Sequence, residues 1–123
     1  MLATAAKRNG RVMTPNSQPE KGSFYRADHF EFSKLGVPAL YTGGGKDFIG
    51  KPPNFGQQKK DDYVAYHYHQ VSDEVNPEWD LSGAVQDVDL LFEIGYQVAA
   101  ADKFPEWKPG SEFKAKRDEM LKK

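Results

Sequence analysis

The sequence predicts an α/β fold. A short apolar run, Val37-Pro38-Ala39-Leu40-Tyr41, lies between two helical candidates. The stronger of these spans about Asp80 to Ala101 and repeats apolar residues at helical spacing. Helix, strand, long loop, helix is an α/β order. At 123 residues there is room for one small domain.

Met1 to Gly10 reads as the last turns of a helix closed by Asn9-Gly10, with Lys7 and Arg8 suited to the negative end of its dipole. Arg11 to Ser23 carries Pro15, Asn16, Pro19 and Gly22 and reads as an exposed loop. His29 to Leu35 is a short helix, with Phe32 and Leu35 one turn apart and Gly36 as terminator. Asp28 stands where it can cap that helix, or can pair catalytically with His29. Val37 to Tyr41 then reads as a buried strand, with Pro38 tolerated only near its start. An isolated strand leaves its hydrogen bonds unpaired, so a sheet needs further strands.

Gly43-Gly44-Gly45 reads as a flexible turn. A phosphate loop would need a Ser or Thr after Lys46, and Asp47 stands there. Asp47 to Asp62, with Pro52-Pro53 and Gly56, reads as a long loop. In the helix from Asp80, the apolar stripe is Leu81, Ala84, Val85, Val88, Leu91, Phe92 and Gly95, with Asp80 or Asn76 as cap. Asp87, Asp89 and Glu93 lie off it as a solvated face. Phe104 to Gly110 is an aromatic turn segment expected to pack back on the domain, and Lys114 to Lys123 a charged, frayed helical tail.

Hydrophobic residues make up 38% of the chain and aromatics 13%, so a modest core must draw on its rings. A net charge of -1 predicts no nucleic-acid partner, which would call for a basic stripe. No cysteine is present, which excludes disulfides and thiolate chemistry. No apolar run approaches the roughly 20 residues that span a bilayer, so no membrane partner is expected.

The chemistry-bearing stretch is Tyr66-His67-Tyr68-His69-Gln70-Val71-Ser72-Asp73-Glu74. His69 and Asp73 have the spacing of a metal-binding imidazole whose second nitrogen is held by an acid. His69 can equally be a general base or a packed structural histidine. His67 could share a strand face with His69, and otherwise is a loop or surface residue. Tyr68 can stabilise an oxyanion through its hydroxyl, or simply pack. Arg26 can clamp a carboxylate or stay solvated. Asp61 and Asp62, if on a strand, point to opposite faces.

Four segments carry a resemblance: FYRADHFEFSKLGVPALY, then GKP, then DDYVAYHYHQVSDEVNPEWDLSGAVQDVDLLFEIG, then FPEWKPGSEFKA. From about Arg11 to Lys116 the chain resembles the carboxy-terminal part of the co-catalytic di-zinc aminopeptidases, family twenty-eight of the metallopeptidases. That family includes bacterial leucyl aminopeptidases and relatives of glutamate carboxypeptidase. The resemblance implies a three-layer α/β/α fold with a mixed sheet, of which residues 1–123 would be the carboxy-terminal segment, the amino-terminal part being absent. It implies His69 as the last zinc ligand, Asp73 as the acid behind it, Tyr68 as the residue steadying the tetrahedral intermediate, and Asp28 and His29 as lining. Ala27 replaces the family's usual serine.

The implied activity is zinc-dependent hydrolysis of amino-terminal residues from peptides. Two zinc ions would activate a bridging water for attack on the carbonyl. The family draws its other ligands from a His-x-Asp and a Glu-Glu, and this chain has neither. The expectation is therefore a portion of an enzyme, inactive alone and binding zinc at most weakly. Missing neighbouring strands would leave sheet edges exposed and favour self-association. Exported members are frequent, which leaves the compartment open. The alternative is a non-catalytic interaction module, or a truncated pseudoenzyme of the same fold.

Overall fold

A computed structural model describes residues 1–122; Lys123, the end of the expected tail, lies outside the described residues. Five α-helices form: α1 (Leu2–Arg8), α2 (His29–Lys34), α3 (Phe55–Tyr66), α4 (Ser82–Ala99) and α5 (Lys114–Met120). Two short 3₁₀ turns, Pro19–Lys21 and Ser23–Arg26, precede α2. None of the described residues forms a strand. The α/β expectation, and with it the three-layer α/β/α arrangement, is overturned.

The reason is local. Val37 spends its N–H on the carbonyl of Phe32, 3.1 Å away, and so finishes α2 rather than starting a ladder. Pro38 has no N–H to give. No second strand exists among the described residues to pair with the run. Val37, Leu40 and Tyr41 consequently stay exposed instead of buried.

The chain divides into two units, Met1–Thr42 with Val88–Lys123, and Gly43–Asp87. In the first, α1 ends as its sequence predicts. Gly10 adopts φ +66°, its N–H bonds Lys7 at 3.1 Å, and Arg11 N–H reaches back to Ala6 at 2.8 Å. That pair of bonds is the Schellman closure, which needs a left-handed residue. Ala5 is fully buried against Leu90 and Ile94 of α4, with Leu2 packed alongside. Arg8 and Asn9 both bond the carboxylate of Glu93.

Helix α2 closes in the same way. Gly36 N–H bonds Ser33 at 2.8 Å, and Gly36 has φ +91°. A Cβ on Gly36 would meet the backbone nitrogen of Arg117 at 2.7 Å. Glycine is thus required twice, for its dihedral and for the close approach of α5. The Trp107 indole N–H donates to the Gly36 carbonyl at 3.1 Å. Trp107 therefore packs back as expected, whereas Phe104 is 82% exposed. Arg117 is buried, donates to Pro105 O and lies 3.7 Å from Glu106, so α5 is anchored rather than frayed.

In the second unit, α3 replaces half of the expected long loop. Asn54, at φ +68°, turns the chain into it. Gly56 presses against the segment before it: a Cβ there would sit 2.4 Å from the Lys46 carbonyl oxygen. Phe48 meets Phe55 edge-on at 5.6 Å, and Lys51 and Lys59 both lie over the Phe55 ring. Lys46 bonds Gln57, which bonds Asp61 one turn on. Asp61 and Asp62 stand on a helix, not on a strand.

Helix α4 starts two residues later and ends two earlier than its pattern suggests. Asp80 accepts the Ser82 N–H at 2.9 Å, an Asx turn that leads into the first turn. Its carboxyl is held below the ordinary value, chiefly by hydrogen bonds from Ser82, with the Lys51 charge adding to this. Asn76 accepts from Glu78 instead. The buried face of α4 carries Leu90 and Ile94. Its expected apolar stripe faces outward, with Val85 at 57%, Val88 at 64% and Phe92 at 72% exposure.

Candidate functional site

The stretch from Tyr63 to Asp73 is built by the way α3 ends. His67 and Tyr68 both donate N–H groups to the carbonyl of Tyr63, at 2.9 and 2.8 Å. His69 then takes φ +60°, one of two non-glycine residues with positive φ among those described. Histidine is among the side chains that tolerate this conformation best. The turn is tied by Ser72 Oγ, which donates to Tyr66 O at 2.6 Å, and by His67 Nδ1, 3.2 Å from Ser72 O. A carbonyl only accepts, so Nδ1 carries the proton of that imidazole.

The reversal lays the His69 ring on the Tyr68 ring, with centroids 3.9 Å apart and planes 21° apart. Asp73 accepts the Tyr63 hydroxyl at 2.9 Å. Tyr63 is a partner that sequence reasoning missed, since nothing in a ten-residue separation marks it. The bond to Asp73 raises the Tyr63 phenol above its ordinary value, and desolvation and the nearby carboxylate charge add to this. Tyr68, His69 and Asp73 are all exposed. The arrangement is a hydrogen-bonded, ring-stacked turn open to water.

Asp28 and His29 belong to the first unit. Asp28 occupies the N-cap position of α2 but makes no side-chain capping bond. His29 lies in an aromatic cluster, 4.4 Å from the Phe24 ring and 4.9 Å from Tyr41. Phe24 stacks on Phe113, which meets Trp107 at 5.1 Å. The Nε2 of His29 is buried there without a hydrogen-bond partner. Tyr25 donates to Glu112 at 2.6 Å, and that bond raises its phenol as Asp73 raises Tyr63.

Zinc binding requires three or four ligands converging on one point. Among the described residues no group of three His, Cys, Asp or Glu side chains could hold a metal ion. The residues present therefore do not fit a zinc pair, nor a single weakly held zinc. No helix among the described residues is long and apolar enough to cross a membrane.

A helical chain with a surface turn of phenols and imidazoles, and no converging ligand set, defines a small all-α protein without a metal centre among its described residues. By sequence it belongs to peptidase family M28, whose family model matches residues 1–92. No curated protein and no solved structure matches the chain. The expectation of a carboxy-terminal portion of a di-zinc aminopeptidase domain is corrected by this geometry. Among the described residues the sheet that would carry the ligands is not formed, and no ligand set is assembled. The zinc, metal-binding and peptidase-fold expectations fall with it.

Proposed function

We propose that this chain is a non-catalytic helical module that works by binding protein. What supports the reading is the outward apolar stripe of α4: Val85, Val88, Leu91, Phe92 and Tyr96 are each 46–72% exposed on one helix. Apolar patches of this kind, free of charge at their centre, are where protein partners dock. The scarcity of core points the same way. Buried hydrophobic residues among those described are Ala5, Ala6, Leu90 and Ile94, while Trp79, Phe104 and most tyrosines face water.

The test is direct. The chain is incubated with zinc and an aminoacyl anilide, and its metal content is measured after desalting. No stoichiometric zinc and no chelator-sensitive turnover are expected. Turnover that rises with zinc and disappears with a chelator would overturn the reading.

A further inference from the structure

We propose that Asn9–Gly10 is a site of spontaneous modification: the fold restrains deamidation of Asn9 while α1 is docked on α4, and the product undocks the helix. The proposal goes beyond the binding reading above and does not depend on it. The residues that carry it all lie in the first unit. Of the four asparagines, Asn9 alone precedes a glycine; Asn16 precedes Ser17, Asn54 precedes Phe55 and Asn76 precedes Pro77. Glycine has no Cβ to shield its backbone nitrogen, so that nitrogen can approach the preceding side chain closely.

The reaction needs only water. The Gly10 nitrogen attacks Asn9 Cγ and a C–N bond forms. The Cγ–Nδ2 bond breaks, and ammonia leaves with the proton that the Gly10 nitrogen carried. Water then adds to one carbonyl of the succinimide and opens the ring, leaving aspartate or isoaspartate. Asn9 and Gly10 are exposed, and a Cβ on Gly10 would meet nothing within 4 Å, so water has access to the junction.

In the folded chain the reacting groups are engaged elsewhere. The Gly10 N–H is donated to Lys7 O at 3.1 Å. Asn9 Nδ2 donates to Ala5 O at 2.9 Å and to Glu93 Oε2 at 3.3 Å. Both partners only accept, which fixes the orientation of the amide. Asn9 sits at φ -89° and ψ 16°, which turns the Gly10 nitrogen away from the Asn9 side chain. Ring closure therefore waits on local opening of the last turn of α1.

The product reverses the contact. A carboxylate at position 9 has no donor for Ala5 O and faces the carboxylate of Glu93, to which Arg8 and Gln97 also donate. Isoaspartate adds a backbone carbon between residues 9 and 10. That shifts Gly10 from φ +66° and pulls the Arg11 N–H from Ala6 O, now 2.8 Å away. Helix α1 has seven residues. Isolated helices below about 12 residues are marginal in water, so an undocked α1 unwinds.

The full chain is held at mildly alkaline pH in buffer and, in parallel, in guanidinium, and both are followed by peptide mapping. The Asn9 peptide should gain about 1 Da, as aspartate and isoaspartate. The gain should be at least about 10-fold faster in guanidinium than in buffer. Glu93→Ala should speed the reaction in buffer several-fold, with circular dichroism checking that the chain stays folded. Asn9→Asp should quicken hydrogen exchange over Leu2 to Arg8 at least about 10-fold and leave Phe55 to Tyr66 unchanged. Adding Glu93→Gln to Asn9→Asp should recover most of that protection, because the new amide donates to the new carboxylate. Equal rates in buffer and guanidinium would overturn the proposal. So would unchanged exchange over α1 in Asn9→Asp, or Asn16 reacting as fast as Asn9 in guanidinium.

Discussion

Met1–Thr42 with Val88–Lys123 holds every buried apolar side chain found among the described residues, Ala5, Ala6, Leu90 and Ile94, together with buried Ser33 and Arg117. In Gly43–Asp87 the buried residue is Gly56. The first unit is organised by removing apolar surface from water, at roughly 25 cal/mol per Å². The second is organised by hydrogen bonds and ring contacts at its surface, where each net contribution is about 1 kcal/mol or less. One chain thus shows two ways of fixing a helix, and the second should open at lower free energy.

The sharpest way to break the contrast is Gly36→Ala. The new methyl would sit 2.7 Å from Arg117 N, on a residue at φ +91°. Left-handed strain plus a backbone clash should cost about 2–4 kcal/mol, read by denaturant unfolding followed through near-ultraviolet dichroism. A cost below about 1 kcal/mol would mean that α5 is not seated on Gly36.

Gly56→Ala tests the other side. Alanine suits a helix better than glycine by about 1 kcal/mol, but here its methyl meets the Lys46 carbonyl at 2.4 Å. The net expectation is a loss of about 1–2 kcal/mol, confined to the second unit. Hydrogen exchange should quicken over Phe55 to Tyr66 and stay unchanged at Leu90 and Ile94. Equal quickening in both would dissolve the distinction between them.

The smallest effect is a titration. Tyr25 in the first unit and Tyr63 in the second both have raised phenols, each through a bond to a carboxylate. A raised value means that the fold favours the neutral phenol. The associated stability is present below the ordinary phenol value of about 10 and is lost as pH rises through the folded value. Phenolate absorbance should show two late-titrating groups, with Tyr25→Phe and Tyr63→Phe each removing one. If Tyr63→Phe leaves the late fraction unchanged, the Tyr63–Asp73 bond is not formed in solution.

Much of the helical content was legible. Gly10 and Gly36 marked two ends correctly because both closures need a left-handed residue. The α4 repeat located its helix, but periodicity reports a stripe and not what covers it. Burial went to Leu90 and Ile94, which find Ala5, and the longer stripe was left outside. Helix α3 was illegible because Tyr63, Val64 and Tyr66 make no buried face, and Pro52-Pro53 read as loop. The Val37 to Tyr41 run failed as a strand because apolar length carries no information about a pairing partner. The His69 to Asp73 spacing could not foretell that His69 would turn left-handed, nor that Asp73 would accept from Tyr63.

The chain's two tryptophans fall one in each unit: Trp79, 51% exposed, and Trp107, half-buried with its indole bonded to Gly36. Intrinsic fluorescence therefore contains a water-facing emitter in the second unit and a sheltered one in the first, so that each unit carries its own reporter of local opening.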